Sequence, residues 1–450
     1  MPLFNERTNI DMVMQIDRVA AKARTEKELR FTSLAHHVSR ERLWKSLCSI
    51  RADSGVGIDG YDVQQAKEEF QKWVNPTLQS IHNRGYKAPA VKRAYIPKPG
   101  KNKKRPIGVP TILDRSLQTA TSQVLSAIYE EDFLDCSFGG RPKRSAHQAI
   151  ATLTTAISSR KVSWVFEADL KDFFGSIDHG WVLRFLKLRV GDPRIISLIE
   201  RWLKAGVMED GVITKSEKGT PQGGPISVLI SNLYLHYALD LWIEKVVKPK
   251  LKGEVYYVRY IDDFVLCFQY QSDALLFERV LPKRLGKFNM DLEPSKTQLI
   301  EFGRFAKRDS IRFKEKLKTL YFLGLNFYCS QNLNGRFRIG AKTEKGRFKR
   351  SVLKMKDVML RNRHQPLRVQ RRLINMVIGG HYRYYGIGGN FESLQRFYRI
   401  TVRLWLKVLG TRSQKGVLSW AKFEKILKTF PILEPKIYVT YRDLRDMAQL

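Results

Sequence analysis

VYYVRYIDDFVLCF, residues 255–268, is the stretch on which the reading turns. Val255, Tyr257 and Arg259 fall on one face of an extended chain, and Tyr256, Val258 and Tyr260 on the other. Asp262 and Asp263 interrupt the apolar run. Phe264, Leu266 and Phe268 then continue the alternation. The pattern predicts two antiparallel strands with an Asp-Asp pair at the connecting tip. Two carboxylates held that close raise each other's pKa and cost stability unless a positive charge neutralises them. A divalent cation does so with oxygen ligands. An acidic pair alone also fits a solvated turn, so the decision rests on what surrounds it.

A second acidic strand end lies in WVFEADLKDFFGSIDH, residues 164–179. The strand Val162–Ala168 runs into Asp169. If this strand neighbours the 255–268 hairpin in one sheet, Asp169, Asp262 and Asp263 converge. Three such carboxylates suit two Mg²⁺ ions about 3.5–4 Å apart, a pair that activates a hydroxyl nucleophile and stabilises a leaving pyrophosphate. The backbone carbonyl of Leu170 is placed to complete one metal shell. Asp169 alone reads equally well as a helix cap after a strand. Asp172 and Asp178 read as cap or turn residues.

Charge narrows the partner. Among 450 residues there are 80 Lys and Arg against 44 Asp and Glu, a formal net charge of +36. Self-repulsion on that scale opposes compaction, so a polyanion is the expected partner, and nucleic acid fits best. No uninterrupted apolar run reaches about 18 residues, so no transmembrane helix and no membrane partner are expected. The N-terminus lacks the basic and apolar regions of a secretory signal. Cys48, Cys136, Cys267 and Cys329 form no paired motif, which argues against disulfides and a cysteine zinc site. A reducing, cytoplasmic setting is the expectation, with Cys267 and Cys329 buried.

Along the chain, helix is expected over 10–50, 61–84, 113–133, 145–158, 195–205, 226–246 and 272–288. A glycine-rich loop spans Ser54–Gly60 and another loop 206–225. Residues 91–110 read as strand–turn–strand, and further strands are expected near 296–302 and 320–328. The pattern turns basic and helical from about 340, with a domain boundary near 338–342. Helices alternating with antiparallel hairpins before that point imply an α+β domain.

The order of motifs resembles the reverse transcriptases of group II introns and their free-standing bacterial relatives, over nearly the whole chain. RAYIPKPGKNKKRPIGVPTILDR (93–115) is similar to the family's fingers hairpin, and SFGGRPKRSAHQAI (137–150) to its S-x-G-x-R-P-x-R-S segment. GTPQGGPISVLISNLYLH (219–236) is similar to the P-Q-G-x-P-I-S motif. YIDD is similar to the catalytic hairpin, LEPSKT (292–297) and YFLGLNF (321–327) to the motifs after it, and GGHYRYYGI (379–387) to the helical thumb. The resemblance implies a right-hand polymerase. An N-terminal extension and start of fingers would occupy 1–84, fingers and palm 85–340, and a basic helical thumb 341–450.

It also implies roles. Asp169, Asp262 and Asp263 would bind two Mg²⁺, with Mn²⁺ as an alternative. Lys98 and Arg105 would clamp the triphosphate, with Lys101, Lys103 or Lys104 as stand-ins for Lys98. Phe174 would be the steric gate against a ribose hydroxyl, and Phe173 a core residue. Gln222 would shape the nucleotide pocket, with Pro221 and Gly223 fixing its loop. Lys296 would be the general acid for pyrophosphate. Tyr260, Ile261, Tyr321, Phe322, Leu323 and Gly324 would hold the primer, Arg141 and Arg144 the template phosphates, and the Gly55–Gly60 loop would lie over the template. The partners implied are RNA and DNA template–primers and dNTPs.

Two departures stand out. Most of the family has Ala where this chain has Ile261, and a branched side chain there is expected to change how a primer end is held. No H-N-H or paired-cysteine pattern occurs through Leu450, so the resemblance is closest to the free-standing type. The function expected is RNA-directed, and also DNA-directed, DNA synthesis in host DNA repair. An intron maturase or an annealing protein is the alternative.

Overall fold

A computed structural model describes residues 6–97, 104–214, 217–220, 223–304, 306, 318–332, 334–412 and 418–450. Among the described residues the architecture is mixed α+β, with three small sheets and a run of C-terminal helices. It is consistent with fingers, palm and thumb.

The central sheet holds the hairpin read first. Strand β6 is Val255–Tyr260 and β7 is Asp263–Phe268. Strand β3, Trp164–Asp169, lies beside β7, and β8, Gln298–Glu301, closes the order β6-β7-β3-β8. All three pairings are antiparallel. The alternation places its two faces in two different cores. Tyr257, Phe264, Leu266, Phe268 and Phe166 join the larger one, under the helices Ile112–Tyr129 and Gln271–Gly286. Val258, Val265, Cys267 and Val165 join the second, under the helix Ala146–Ser159. That helix starts at a capping box between Ser145 and Gln148, which satisfies backbone N–H groups that would otherwise lack partners.

The hairpin expected at 91–110 pairs β1, Val91–Pro97, with β2, Lys104–Val109. The expected loop 206–225 contains two short strands instead. These are β4, Val207–Glu209, and β5, Val212–Thr214. They extend the sheet to β2-β1-β4-β5, with β1 and β4 parallel. Three-residue strands carry too little alternation to be read from sequence.

The expected strand near 320–328 is a hairpin. Its strands are β9, Leu320–Phe322, and β10, Leu325–Gln331. Strand β11, Phe337–Thr343, completes the order β11-β10-β9. The boundary expected at 338–342 thus falls inside β11 and not in a linker. The helices Lys345–Arg361, Leu367–Tyr385 and Phe391–Gly410 follow and gather their own core around Trp405, Phe397 and Ile378. The last helix, Tyr441–Met447, leaves that cluster and returns to the second core, where Leu444 is buried.

Smaller differences are local. Residues 10–50 form two helices, Glu6–Thr25 and Arg40–Ser49, and 61–84 form Val63–Glu68 and Phe70–His82. Gly57 lies so close to Thr111 that a Cβ would stand 2.5 Å from its Cα, so the Gly55–Gly60 loop is packed against the chain there. The helical stretch Pro225–Lys250 is long and apolar enough by composition to cross a membrane, but 78% of its apolar window is buried inside the protein. Cys267 is buried as expected, whereas Cys329 is half-buried.

Candidate active site

Asp169 and Asp263 are direct cross-strand partners in the β3–β7 register. On one face of an antiparallel pair, Cβ atoms stand about 4.5–5.5 Å apart. Tyr260 and Asp263 close the β6–β7 hairpin, which leaves Ile261 and Asp262 as its two-residue tip. Asp169, Asp262, Asp263, Lys296, Arg105 and the 321–325 segment line one cavity. Burial, followed by the charge of Asp169, holds the Asp262 carboxyl above its ordinary value. Burial and then Asp169, Glu167 and Asp262 push Asp263 well above it.

Lys296 supplies the positive charge nearest these acids. Its ammonium donates to Asp169 Oδ2. Partial burial pushes the Lys296 ammonium down, but the Asp169 bond and the Asp263 and Asp262 charges more than offset this. Among the described residues, no three His, Cys, Asp or Glu side chains gather about one point, and Lys296 is what engages Asp169. The donor set nevertheless fits a divalent cation. It is all oxygen, it is crowded and partly desolvated, and oxygen shells suit Mg²⁺ or Mn²⁺. Leu170 is buried and is not among the residues that line the carboxylate cavity. The bridge between Leu170 and Leu292 is made by flanking groups, Lys171 N–H to Asp291 O at 2.9 Å and Glu293 N–H to Asp169 O at 2.8 Å, so Leu170's own carbonyl takes no part in it.

The hairpin tip is held from beneath by residues that the motif reading did not single out. Ile261 has φ +58°, where glycine is the usual occupant of a tight hairpin and a branched side chain is strained. Arg259, fully buried, donates from Nη1 to the Ile261 carbonyl at 3.0 Å and to Asn232 Oδ1 at 3.0 Å. Its Nε and Nη2 donate to Asp240 at 2.7 and 2.6 Å, and Tyr257 Oη donates to Asp240 at 2.8 Å. Alongside, Arg259 N–H donates to Cys136 O at 2.7 Å, and Phe138 N–H to Arg259 O at 2.9 Å. Gly139 then passes so close that a Cβ would stand 2.6 Å from both the nitrogen and Cγ1 of Ile261. The available signal was Arg259 itself, a charge on a strand face that alternation turned inward.

The other expected residues divide. Arg105 reaches the cavity of the carboxylates. Lys98, Lys101, Lys103, Pro221 and Gln222 lie outside the described residues. Lys104 begins β2 and is exposed. Gly223 has φ +128°, and a Cβ there would stand 2.7 Å from Gly108 O, so the loop does press on the fingers strand. Phe173 is a core residue. Phe174 does not line the cavity of the carboxylates. The single helical turn Phe173–Ser176 points it into a neighbouring cavity with Arg93, Pro106 and Thr220.

Phe322, Leu323 and Gly324 line the carboxylate cavity, with Leu323 and Gly324 as the β9–β10 tip. Tyr321 lines it and is exposed, while Tyr260 is half-buried against the second core. Arg141 is corrected. It is 7% exposed, and its guanidinium donates to Glu130 Oε2 at 2.9 Å and to the carbonyls of Leu134 at 2.7 Å and Ser137 at 2.9 Å. It braces its own loop and has no face left for template phosphate. Arg144 is also engaged, by Asp135 and over the Phe138 ring at 5.6 Å. Arg347 and Arg350, not expected from the motifs, line the carboxylate cavity instead.

The reverse transcriptase (RNA-dependent DNA polymerase) family model matches residues 96–327, more than half of the chain. The chain belongs to the reverse transcriptase family. This stretch contains all three carboxylates, Lys296 and the β9–β10 tip. Group II intron-encoded protein LtrA of Lactococcus lactis subsp. cremoris is 33% identical over 230 residues, 49% of this chain and 37% of LtrA. Protein YkfC of Escherichia coli (strain K12) is 28% identical over 281 residues, 55% of this chain and 74% of YkfC. Nuclear intron maturase 2, mitochondrial, of Arabidopsis thaliana is 30% identical over 109 residues, 23% of this chain and 15% of that protein. The chain thus spans less than half the length of LtrA. Reverse transcriptases generally use divalent metal ions and act on a nucleic-acid template–primer.

Proposed function

We propose that this chain is a right-hand polymerase that copies RNA, and also DNA, into DNA. The observation that carries the reading is the β3–β7 register, which sets Asp169 opposite Asp263 and beside Asp262 in a cavity that also holds Lys296 and Arg105. RNA binding or annealing alone needs no such row of acids along one cavity of so basic a chain.

Asp169, Asp262, Asp263 and the Leu170 carbonyl are the groups that would hold two divalent cations, which when bound activate the primer 3′-hydroxyl and stabilise the leaving pyrophosphate. Arg105 grips the triphosphate by its planar fork, with Lys98 as a point charge and Gln222 shaping the pocket. Lys296 stands at the carboxylates as a charged ammonium and delivers a proton to the departing pyrophosphate. The β9–β10 tip bears on the primer, and Phe174 screens the sugar from the adjoining cavity.

The cellular role assigned is host DNA repair, by gap filling or end joining, in the manner of a YIDD-type enzyme. Ile261 supports it, because its strained, branched side chain beside the catalytic acids suits short or weakly paired primer ends. A deletion strain that survives double-strand breaks as well as its parent would remove that role. The biochemical test is extension of one primer on matched RNA and DNA templates with Mg²⁺ or Mn²⁺. Extension on both is expected. Tight RNA binding without extension would favour a maturase.

A further inference from the structure

Two hairpin tips border the carboxylate cavity, and each carries a bulky aliphatic residue in the left-handed region. Ile261 has φ +58°, and Leu323 has φ +49° followed by Gly324 at φ +79°. L side chains are disfavoured there, and such backbone persists only where its surroundings over-determine it. For Ile261 the surroundings are the buried Arg259 and the Gly139 backbone, both close in the fold to the tip itself. For Leu323 they come from a different part of the chain.

The Tyr384 hydroxyl donates to the Leu323 carbonyl at 3.0 Å. Tyr384 lies in the last turn of the helix Leu367–Tyr385. Its own carbonyl meets His147 Nε2 at 2.8 Å, which ties that turn to the helix behind the central sheet. Beside it, Glu344 N–H donates to Gly324 O at 3.0 Å. A Cβ on Gly324 would stand 3.2 Å from Tyr385 Oη, so the next tyrosine closes over the second tip residue. From the sheet side, Glu167 Oε2 accepts Tyr321 N–H at 3.1 Å. The strained tip is therefore gripped between β3 and the C-terminal helices. Tyr384 contributes a side-chain hydroxyl bonded to the left-handed leucine itself.

Resting on the polymerase reading, we infer that Tyr384 is a positioning residue. It fixes the Leu323–Gly324 tip, and through that tip the primer end, relative to Asp262 and Asp263. The C-terminal helices thus set the geometry of the reacting end as well as adding basic surface. Burial pushes the Tyr384 hydroxyl up to about 12, so it remains a donor at any working pH.

The test is Tyr384→Phe, which keeps the ring and removes one hydroxyl. Four quantities are measured: the single-nucleotide incorporation rate at saturating dNTP, KM for dNTP, Kd for a labelled template–primer, and the thermal midpoint. The rate is expected to fall about five- to tenfold, the equivalent of one neutral hydrogen bond. KM, Kd and the midpoint are expected to stay near parental values, because uniform binding is untouched. A variant as fast as the parent overturns the inference, and so does a rate loss matched by an equal loss of template–primer affinity. A parent that never extends a primer removes the polymerase reading, and this inference with it.

Discussion

Among the described residues, Asp114 has no cationic partner. It is fully buried and accepts hydrogen bonds from Tyr86 Oη at 2.8 Å, Trp202 Nε1 at 2.7 Å and Gln118 Nε2 at 3.0 Å. Burial pushes its carboxyl up to about 6, against the opposing pull of those donors. A folded-state pKa above the unfolded one means the folded protein holds the proton more tightly. The stabilisation is therefore complete below about pH 4 and is lost as pH rises through about 6, roughly 3 kcal/mol in all. Asp114→Asn does not titrate, so its stability relative to the parent should improve by that amount between pH 4 and 7. Urea unfolding at the two pH values checks this, and a difference that does not vary with pH would contradict it. Residues of this kind were not legible in the sequence. The placement of Asp169, Asp262 and Asp263 was, because YIDD and EAD sit at strand ends whose alternation is plain. Asp240 was not, since it lies in an apolar helical run 19 residues from Arg259 and no spacing rule joins them. Arg141 was misread for the opposite reason: RPKRS looks like a phosphate-binding run, and composition says nothing about which guanidinium turns inward.

At the scale of elements, the six-residue strands β3, β6 and β7 were legible and so was the four-residue β8, whereas the three-residue β4 and β5 and the seven-residue β11, which lies across the expected boundary, were not. The β6–β7 hairpin could be read down to its tip. The YFLGLNF run reads as one strand because its turn, Leu323-Gly324, offers a single glycine and places a leucine where turn chemistry favours Asn or Asp. The boundary near 338–342 followed a real change in composition, but β11 pairs back onto β10 across it. The return of Tyr441–Met447 to the second core is a long-range contact that no local pattern announces. One junction between elements makes a strong prediction. The 136–140 segment lies against the edge of β6, with Ser137 and Arg259 as bridge partners and Asn232 Nδ2 donating to Gly139 O at 2.8 Å. Gly139→Ala drives a methyl into the backbone of the Ile261 turn, so either the segment or the hairpin tip must shift. Overpacking of this kind costs about 1–3 kcal/mol. The expected result is a folded protein with template–primer affinity close to the parent's and an incorporation rate at least about tenfold lower, since small displacements of reacting groups are costly. Full activity in Gly139→Ala would show that the tip's placement does not depend on this contact.

For the whole molecule, +36 of net charge and a pocket of crowded acids pull in opposite directions. The basic surface gives affinity for any polyanion, with the steep salt dependence of counterion release. The acids work against binding a polyanion, which is why the proposed function assigns them to chemistry. The charge was legible at once from composition. The sequence left open whether β3 and β7 are neighbours; the register pairs them and sets Asp169 opposite Asp263. The measurement that tests the central claim most directly compares the parent with the Asp262→Ala, Asp263→Ala double variant. Both are assayed for primer extension on RNA and DNA templates, and for template–primer affinity across a salt series. The account predicts that extension disappears in the variant while affinity and its salt slope stay close to the parent's. Extension that survives the loss of both carboxylates would contradict it.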